Sequence, residues 1–118
     1  FCPHGLGHLL GIQVHDVGGL QINANGENLN PPSNYSSLRF TRPIEKNQVF
    51  TIEPGIYFIP MLLQELKESK APVNWSAVEG LLSYGGIRIE DNVRVLEEGL
   101  ENLTRDAFAT IAKGTEVK

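Results

Sequence analysis

The chain has 118 residues, 41% of them hydrophobic, a formal net charge of −4 and a single cysteine. That length fits one domain with a modest core. The acidic balance argues against nucleic acid or an anionic membrane as a partner, since both call for a basic surface, and no apolar run approaches the ~20 residues of a membrane span. Cys2 has no second cysteine to pair with. With no secretory signal pattern either, a reducing, cytoplasmic setting is the simpler expectation. The chain opens Phe1-Cys2-Pro3-His4 without an initiator methionine, and its motif-rich stretch begins at once. Both features suggest a piece of a longer protein.

Gly5, Gly7 and Gly11 disfavour a helix at the start. Residues 11 to 17 are predicted as a strand, with Ile12 and Val14 on one face and Gln13 and His15 on the other. Residues 18 to 37, rich in Asn, Gly, Pro and Ser, read as a long loop. Residues 48 to 59 are predicted to be extended, with Phe50 and Ile52 on one face and Thr51 and Glu53 on the other. Pro54 favours an extended Glu53 by steric clash, and Gly55 permits a bend. Residues 61 to 70 look helical, with Leu62, Leu63 and Leu66 at helical spacing, and a second short helix is expected after Asn74. Residues 86 to 95 give the cleanest strand, in which Ile87, Ile89, Val93 and Val95 alternate with Arg88, Glu90, Asn92 and Arg94 and Asp91 interrupts the apolar face. Residues 100 to 103 suggest a further strand. Thr104 is the expected cap of a last helix over residues 105 to 112, closed by Gly114. Strands in the middle, with helices between and after them, make the class α+β.

Three histidines, His4, His8 and His15, fall within twelve residues, and Glu53 and Glu90 sit on predicted strands among apolar neighbours. Imidazole mixed with carboxylate suits Mn²⁺, Zn²⁺ or Fe²⁺. His4 and His8 are four apart, as in a helical zinc pair, but Gly5 and Gly7 lie between them and no Glu follows His4, so that helical motif is absent.

The segment His4-Gly5-Leu6-Gly7-His8 with Val14-His15-Asp16-Val17-Gly18 resembles the histidine segment of prolidases and Xaa-Pro aminopeptidases. Residues Thr51-Ile52-Glu53-Pro54-Gly55-Ile56-Tyr57 resemble their first glutamate segment, and Gly85-Gly86-Ile87-Arg88-Ile89-Glu90-Asp91-Asn92-Val93 their second. All three occur in the family's order, and the continuations Tyr57-Phe58-Ile59-Pro60 and Asn74-Trp75 are most similar to bacterial Xaa-Pro dipeptidases. The resemblance implies the pita-bread fold, a curved antiparallel sheet with flanking helices, of which residues 1–118 would be the C-terminal half within a single catalytic domain. It implies two divalent ions, Mn²⁺ being the expected metal, held by two Asp, one His and two Glu. His8, Glu53 and Glu90 match the histidine and the glutamates, with Glu90 bridging the ions. The two Asp belong to an upstream segment of the family. Asp16 and Asp91 fall inside the other motifs, and Asp106 lies in the predicted last helix.

The implied reaction is hydrolysis of the bond before proline, by a water activated between ions about 3.5–4 Å apart. Glu53 would also serve as general base and acid, and His15 would hydrogen-bond the substrate or its oxyanion. His4 would line the substrate pocket, and Arg39 would bind the substrate's C-terminal carboxylate bidentately. Arg88, on the strand face of Glu90, would bind substrate and orient that carboxylate. Family members of this type are dimers, so a homodimeric parent is expected, with a Xaa-Pro dipeptide as substrate. The isolated chain is expected to bind metal weakly, to lack catalysis and to self-associate through uncovered apolar surface.

Plainer readings stand beside these. A lone His8 would read as a satisfied core histidine, His15 as an ordinary strand residue and His4 as a loop hydrogen-bonder. Glu53 would merely open the Pro-Gly turn, although a buried carboxylate needs a partner. Arg88 and Glu90 would simply pair with each other, and Arg39 competes with Arg42 as one of two surface charges. Asn34, Asn74 and Asn102 each begin an Asn-x-Ser/Thr pattern, read here as chance. The alternative functions are an aminopeptidase acting on longer Xaa-Pro peptides, a phosphotriesterase side activity, a metal-free binding protein of the same fold, and a non-haem iron site built from His8, His15 and one Glu.

Overall fold

Short helices alternate with antiparallel strands in the computed structural model, which describes residues 1–114, and the class is α+β. The chain divides into two units: Phe1–Pro3 with Pro54–Ile89, and His4–Glu53 with the chain from Glu90 onward.

The second of these carries a three-stranded antiparallel sheet. Its strands are β1 (Val49–Ile52), β4 (Asp91–Val95) and β5 (Leu100–Asn102), in the order β1-β4-β5. The β1/β4 register sets Phe50 opposite Val93 and Ile52 opposite Asp91. Residues 6 to 10 extend this sheet along the other edge of β1. The Leu10 amide donates to Val49 O at 3.0 Å, Thr51 to His8 O at 2.9 Å and Glu53 to Leu6 O at 2.8 Å, with Leu9 bridged to Phe50.

Because side chains alternate across a strand, this register gives the sheet two unlike faces. On one, Leu9, Phe50 and Val93 are buried together, with Phe40, Ile52 and Val95 packed against them. Phe40 and Phe50 meet edge to face, ring centroids 5.2 Å apart. His8, Thr51 and Glu53 occupy the other face and are buried as well.

The helix α3 (Leu103–Ala112) follows β5 directly. Its cap is Asn102, whose side-chain oxygen accepts from the Arg105 amide at 3.0 Å. This corrects the expected Thr104 cap: the Thr104 hydroxyl instead accepts the Asn92 amide at 2.9 Å. Gly114 ends the helix at a left-handed φ of 70°, as its position requires. The Asp91 carboxylate accepts from Asn102 Nδ2 at 3.0 Å and from Arg105 Nε at 2.9 Å, which clips β4 to the start of α3.

The other unit holds a two-stranded ribbon of β2 (Gly55–Tyr57) and β3 (Gly86–Arg88), with Ile56 opposite Ile87. It also holds α1 (Pro60–Glu68) and α2 (Trp75–Leu81). Pro60 suits the first helical turn because its missing N–H would be unbonded there in any case. Asn74 caps α2 by accepting the Ala77 amide at 3.1 Å. Leu63 and Val78 are the buried residues of the two helices, and Lys67 lies over the Trp75 ring at 5.6 Å. Asn74 and Asn102 are therefore capping residues, which accounts for two of the three Asn-x-Ser/Thr patterns.

Two strand expectations change. Residues 11 to 17 form a loop leading into a short 3-10 turn at Val17–Leu20. The Gly11 amide bonds locally to Gln13 O, and the Asp16 amide returns to Leu9 O at 3.1 Å, so the backbone folds back on itself. Ile12 and Val14 are exposed, and the sequence alternation meets no packing surface. The strand expected over residues 86 to 95 is broken at Ile89 and Glu90 into β3 and β4, which belong to different sheets. Among the described residues, no helix is long and apolar enough to cross a membrane.

Candidate metal centre

The polar face of the sheet follows from two alternations running in opposite directions. Residues 6 to 10 lie antiparallel to β1, so His8 stands opposite Thr51. Two residues further along β1 on the same face comes Glu53. Extending the β1/β4 register one step past Ile52 and Asp91 sets Glu53 opposite Glu90. The result is a cluster in which His8, Glu53 and Glu90 each bring one ligand atom within 4.8 Å of the others. His8 and Glu53 are 3% and 7% exposed, whereas Glu90 is open to solvent at the strand break.

Gly7 makes the close approach of the two segments possible. A Cβ there would lie 1.8 Å from the Thr51 carbonyl oxygen, a backbone atom that has no room to yield. Any side chain at this position would push residues 6 to 10 away from β1.

The chemistry of the cluster fits a divalent cation. His8 Nδ1 lies 3.0 Å from the Leu9 carbonyl oxygen. A carbonyl oxygen only accepts, so Nδ1 carries the proton and donates it. The other ring nitrogen, Nε2, faces Glu53 Oε1 at 3.3 Å. A proton or a cation can join two atoms so placed, and an imidazole with two carboxylates is a donor set for Mn²⁺, Fe²⁺ or Zn²⁺. The Leu9 carbonyl also fixes the ring orientation, as partners of metal-binding histidines do.

His15 packs edge to face on His8, with ring centroids 4.4 Å apart. His4, His15, Asp16 and Arg39 line one hollow of about 500 Å³, together with Leu20 and Leu38. Arg42 pairs with Glu45 at 2.8 Å, whereas the exposed Arg39 reaches the hollow shared with two histidines. Asp16 and Asp91 both have structural partners: Asp16 Oδ1 accepts the Gly18 amide at 2.8 Å, and Asp91 is held by Asn102 and Arg105. Those two hydrogen bonds, that of Asn102 foremost, keep the Asp91 carboxyl below the usual carboxylate range against the opposing push of burial.

Arg88 departs from the expected geometry. The strand that was to carry Arg88 and Glu90 on one face does not run through both, because β3 ends at Arg88 and β4 begins at Asp91. Within its own unit, Arg88 Nε donates to the Tyr57 hydroxyl at 2.6 Å, and the guanidinium lies 5.8 Å from that ring's centroid.

Thr51 is the member of the cluster that the sequence reading passed over. It is the most buried of these polar residues, at 1% exposed. Its hydroxyl donates to Glu53 Oε1 at 3.1 Å and accepts the His8 amide at 3.0 Å. The available signal was its place two residues before Glu53 on the same strand face.

Residues 1–97 match metallopeptidase family M24. The chain is 56% identical over 108 residues to a Xaa-Pro dipeptidase of Pseudoalteromonas haloplanktis, covering 90% of this chain and 24% of that protein. It is 56% identical over 109 residues to a Xaa-Pro dipeptidase of Aeromonas hydrophila, covering 91% and 25% respectively. A Xaa-Pro dipeptidase of Xanthomonas euvesicatoria is 52% identical over 112 residues, with coverages of 93% and 25%. The chain thus spans about a quarter of the length of these curated relatives. The histidine segment, both glutamate segments and the cluster they form all lie inside the matched region, and the chain belongs to metallopeptidase family M24, whose pita-bread fold its motifs imply.

Proposed function

We propose that this chain supplies the histidine and both glutamates of a two-ion centre that hydrolyses the Xaa-Pro bond of dipeptides. The observation that carries the reading is the convergence of His8, Glu53 and Glu90, with His8 Nε2 3.3 Å from Glu53 Oε1 on the polar face of the sheet. The names of the similar proteins supply the substrate class.

Bound there, the ions, Mn²⁺ being the expected metal, would lower the pKa of a water and polarise the scissile carbonyl. His8 Nε2, Glu53 and Glu90 would hold them. Glu53 accepts the proton of the attacking water and passes it to the departing proline nitrogen. His15 donates to the oxyanion that develops on the carbonyl. His4 lines the hollow, and Arg39 grips the dipeptide's terminal carboxylate as a bidentate fork, which disfavours longer chains.

Three ligands leave such a centre two carboxylates short of the five the family uses. The reading therefore assigns catalysis to a protein of the relatives' length, a homodimer working in the cytoplasm, and none to these 118 residues by themselves. The test is an assay with Mn²⁺ on a Xaa-Pro dipeptide and on a longer Xaa-Pro peptide, comparing this chain with a version extended to its relatives' length. The extended protein should cleave the dipeptide, and the short chain should cleave neither. Cleavage by neither protein would remove the dipeptidase reading, and a preference for the longer peptide would replace it with an aminopeptidase.

A further inference from the structure

A buried threonine on a strand usually needs no functional explanation, because its β-branched shape suits a pleated surface. Valine would fill the same space. Thr51 differs in what its hydroxyl does. That oxygen accepts the His8 backbone amide at 3.0 Å and donates its single proton to Glu53 Oε1 at 3.1 Å. The same Glu53 oxygen lies 3.3 Å from Nε2 of His8. The three residues close a ring, from the His8 main chain through the Thr51 hydroxyl and the Glu53 carboxylate back to the His8 side chain.

The ring has a direction. An amide nitrogen can only donate, so the Thr51 hydroxyl spends a lone pair on His8 and turns its proton toward Glu53. A hydroxyl proton so aimed requires an acceptor, which Oε1 supplies. His8 Nδ1 is meanwhile committed to the Leu9 carbonyl at 3.0 Å. The carboxylate of Glu53 and the main chain of His8 are thus tied to one side-chain oxygen, on a residue 1% exposed whose own amide donates to His8 O at 2.9 Å, while the Leu9 carbonyl holds the His8 ring. In antiparallel strands, residues directly opposite one another commonly exchange two backbone bonds. Here the His8 amide bonds to the Thr51 side chain.

We propose that Thr51 is the positioning residue of the metal centre: its hydroxyl sets His8 and Glu53 as a preformed pair of ligands. The proposal deepens the metal-centre reading and rests on it for metal affinity, whereas the two hydrogen bonds of the Thr51 hydroxyl do not depend on metal and are testable separately.

The experiment uses the 118-residue chain as wild type, Thr51→Val and Thr51→Ser. Mn²⁺ binding is measured by calorimetry, and amide hydrogen exchange is measured on the metal-free chain. Thr51→Val should weaken Mn²⁺ binding about tenfold to a hundredfold, the usual effect of losing such a supporting partner. Thr51→Ser should stay near the wild-type value. Without metal, Thr51→Val should speed exchange of the His8 amide roughly tenfold or more. The Leu10 amide, bonded to Val49 O in the same ladder, should be unchanged. A general loosening of the strand would move both amides, so the contrast isolates the hydroxyl. Wild-type affinity and wild-type His8 exchange in Thr51→Val would overturn the proposal. So would a serine variant as impaired as the valine one. If the wild-type chain binds no Mn²⁺, the exchange contrast alone decides the role of the hydroxyl. If Thr51→Val does not fold, Thr51→Cys replaces it, a side chain of similar size whose S–H is a far weaker donor.

Discussion

The two faces of the sheet built on β1 are made from neighbouring residues and do opposite things. Phe50, Leu9 and Val93 point one way and form an apolar cluster. Thr51, His8 and Glu53 point the other way and are just as buried, yet every one carries polar atoms. The apolar face gains free energy simply by leaving water. The polar face recovers its desolvation cost only through mutual hydrogen bonds, and it ends with His8 Nε2 3.3 Å from a carboxylate oxygen of Glu53. One face is organised to hold the sheet together. The other gathers the residues proposed as metal ligands. If that division is right, substitutions on the two faces should have separable effects.

The largest effect should come from the apolar face. Phe50→Ala removes a 7%-exposed ring that packs on Phe40, and it should cost about 3–5 kcal/mol of folding stability. Chemical denaturation of the metal-free chain measures this directly, and a loss below about 1 kcal/mol would mean that the cluster is not the core of this unit. The next largest should come from Gly7→Ala, which strikes both faces at once. Its Cβ would sit 1.8 Å from the Thr51 carbonyl, so residues 6 to 10 must move off β1, at about 1–3 kcal/mol by analogy with overpacked cores. Mn²⁺ binding should fall together with stability, because His8 moves with that segment. Loss of stability with binding intact would show that the segment finds another way to present His8.

How much of this was legible beforehand depended on whether a sequence pattern met a partner in space. The alternation over residues 48 to 53 was readable because both faces are used, one by Phe50 and the other by Thr51 and Glu53. The same kind of alternation over residues 11 to 17 misled, since Ile12 and Val14 face solvent and the backbone there bonds to itself. Periodicity reports what a strand would bury, and it carries no information on whether a neighbour is there to bury it. The break at Ile89 and Glu90 was hidden for a related reason: alternation continues in the letters across a point where the chain leaves one sheet for another. His8, Glu53 and Glu90 were found through three motifs in the family's order. Thr51 was not, because a threonine in a strand looks ordinary until the direction of its hydroxyl is known. The cap at Asn102 was misplaced by two residues, to Thr104, since both residue types favour that role and only the fold assigns Thr104 to the Asn92 amide.

The smallest expected change in folding, and the sharpest separation of the two faces, belongs to Glu90→Gln. Glu90 is exposed, so replacing its carboxylate by an amide of nearly equal size removes little buried contact, and surface substitutions of this kind fall within about 0.5 kcal/mol. As a ligand, however, the glutamine offers a neutral oxygen in place of an anionic one. The cluster it shares with His8 and Glu53, all within 4.8 Å, would lose one of its two negative charges. Affinity for Mn²⁺ should therefore drop at least tenfold, equivalent to about 1.4 kcal/mol, with the denaturation midpoint of the metal-free chain unmoved. Calorimetric titration beside a denaturation curve reads both quantities from one preparation. Unchanged affinity would leave Glu90 a surface carboxylate that happens to lie near the pair and would reduce the centre to His8 and Glu53. A large loss of stability would be equally damaging, since it would place Glu90 among the residues that build the sheet and erase the contrast between the face that holds the fold and the face proposed to hold the ion.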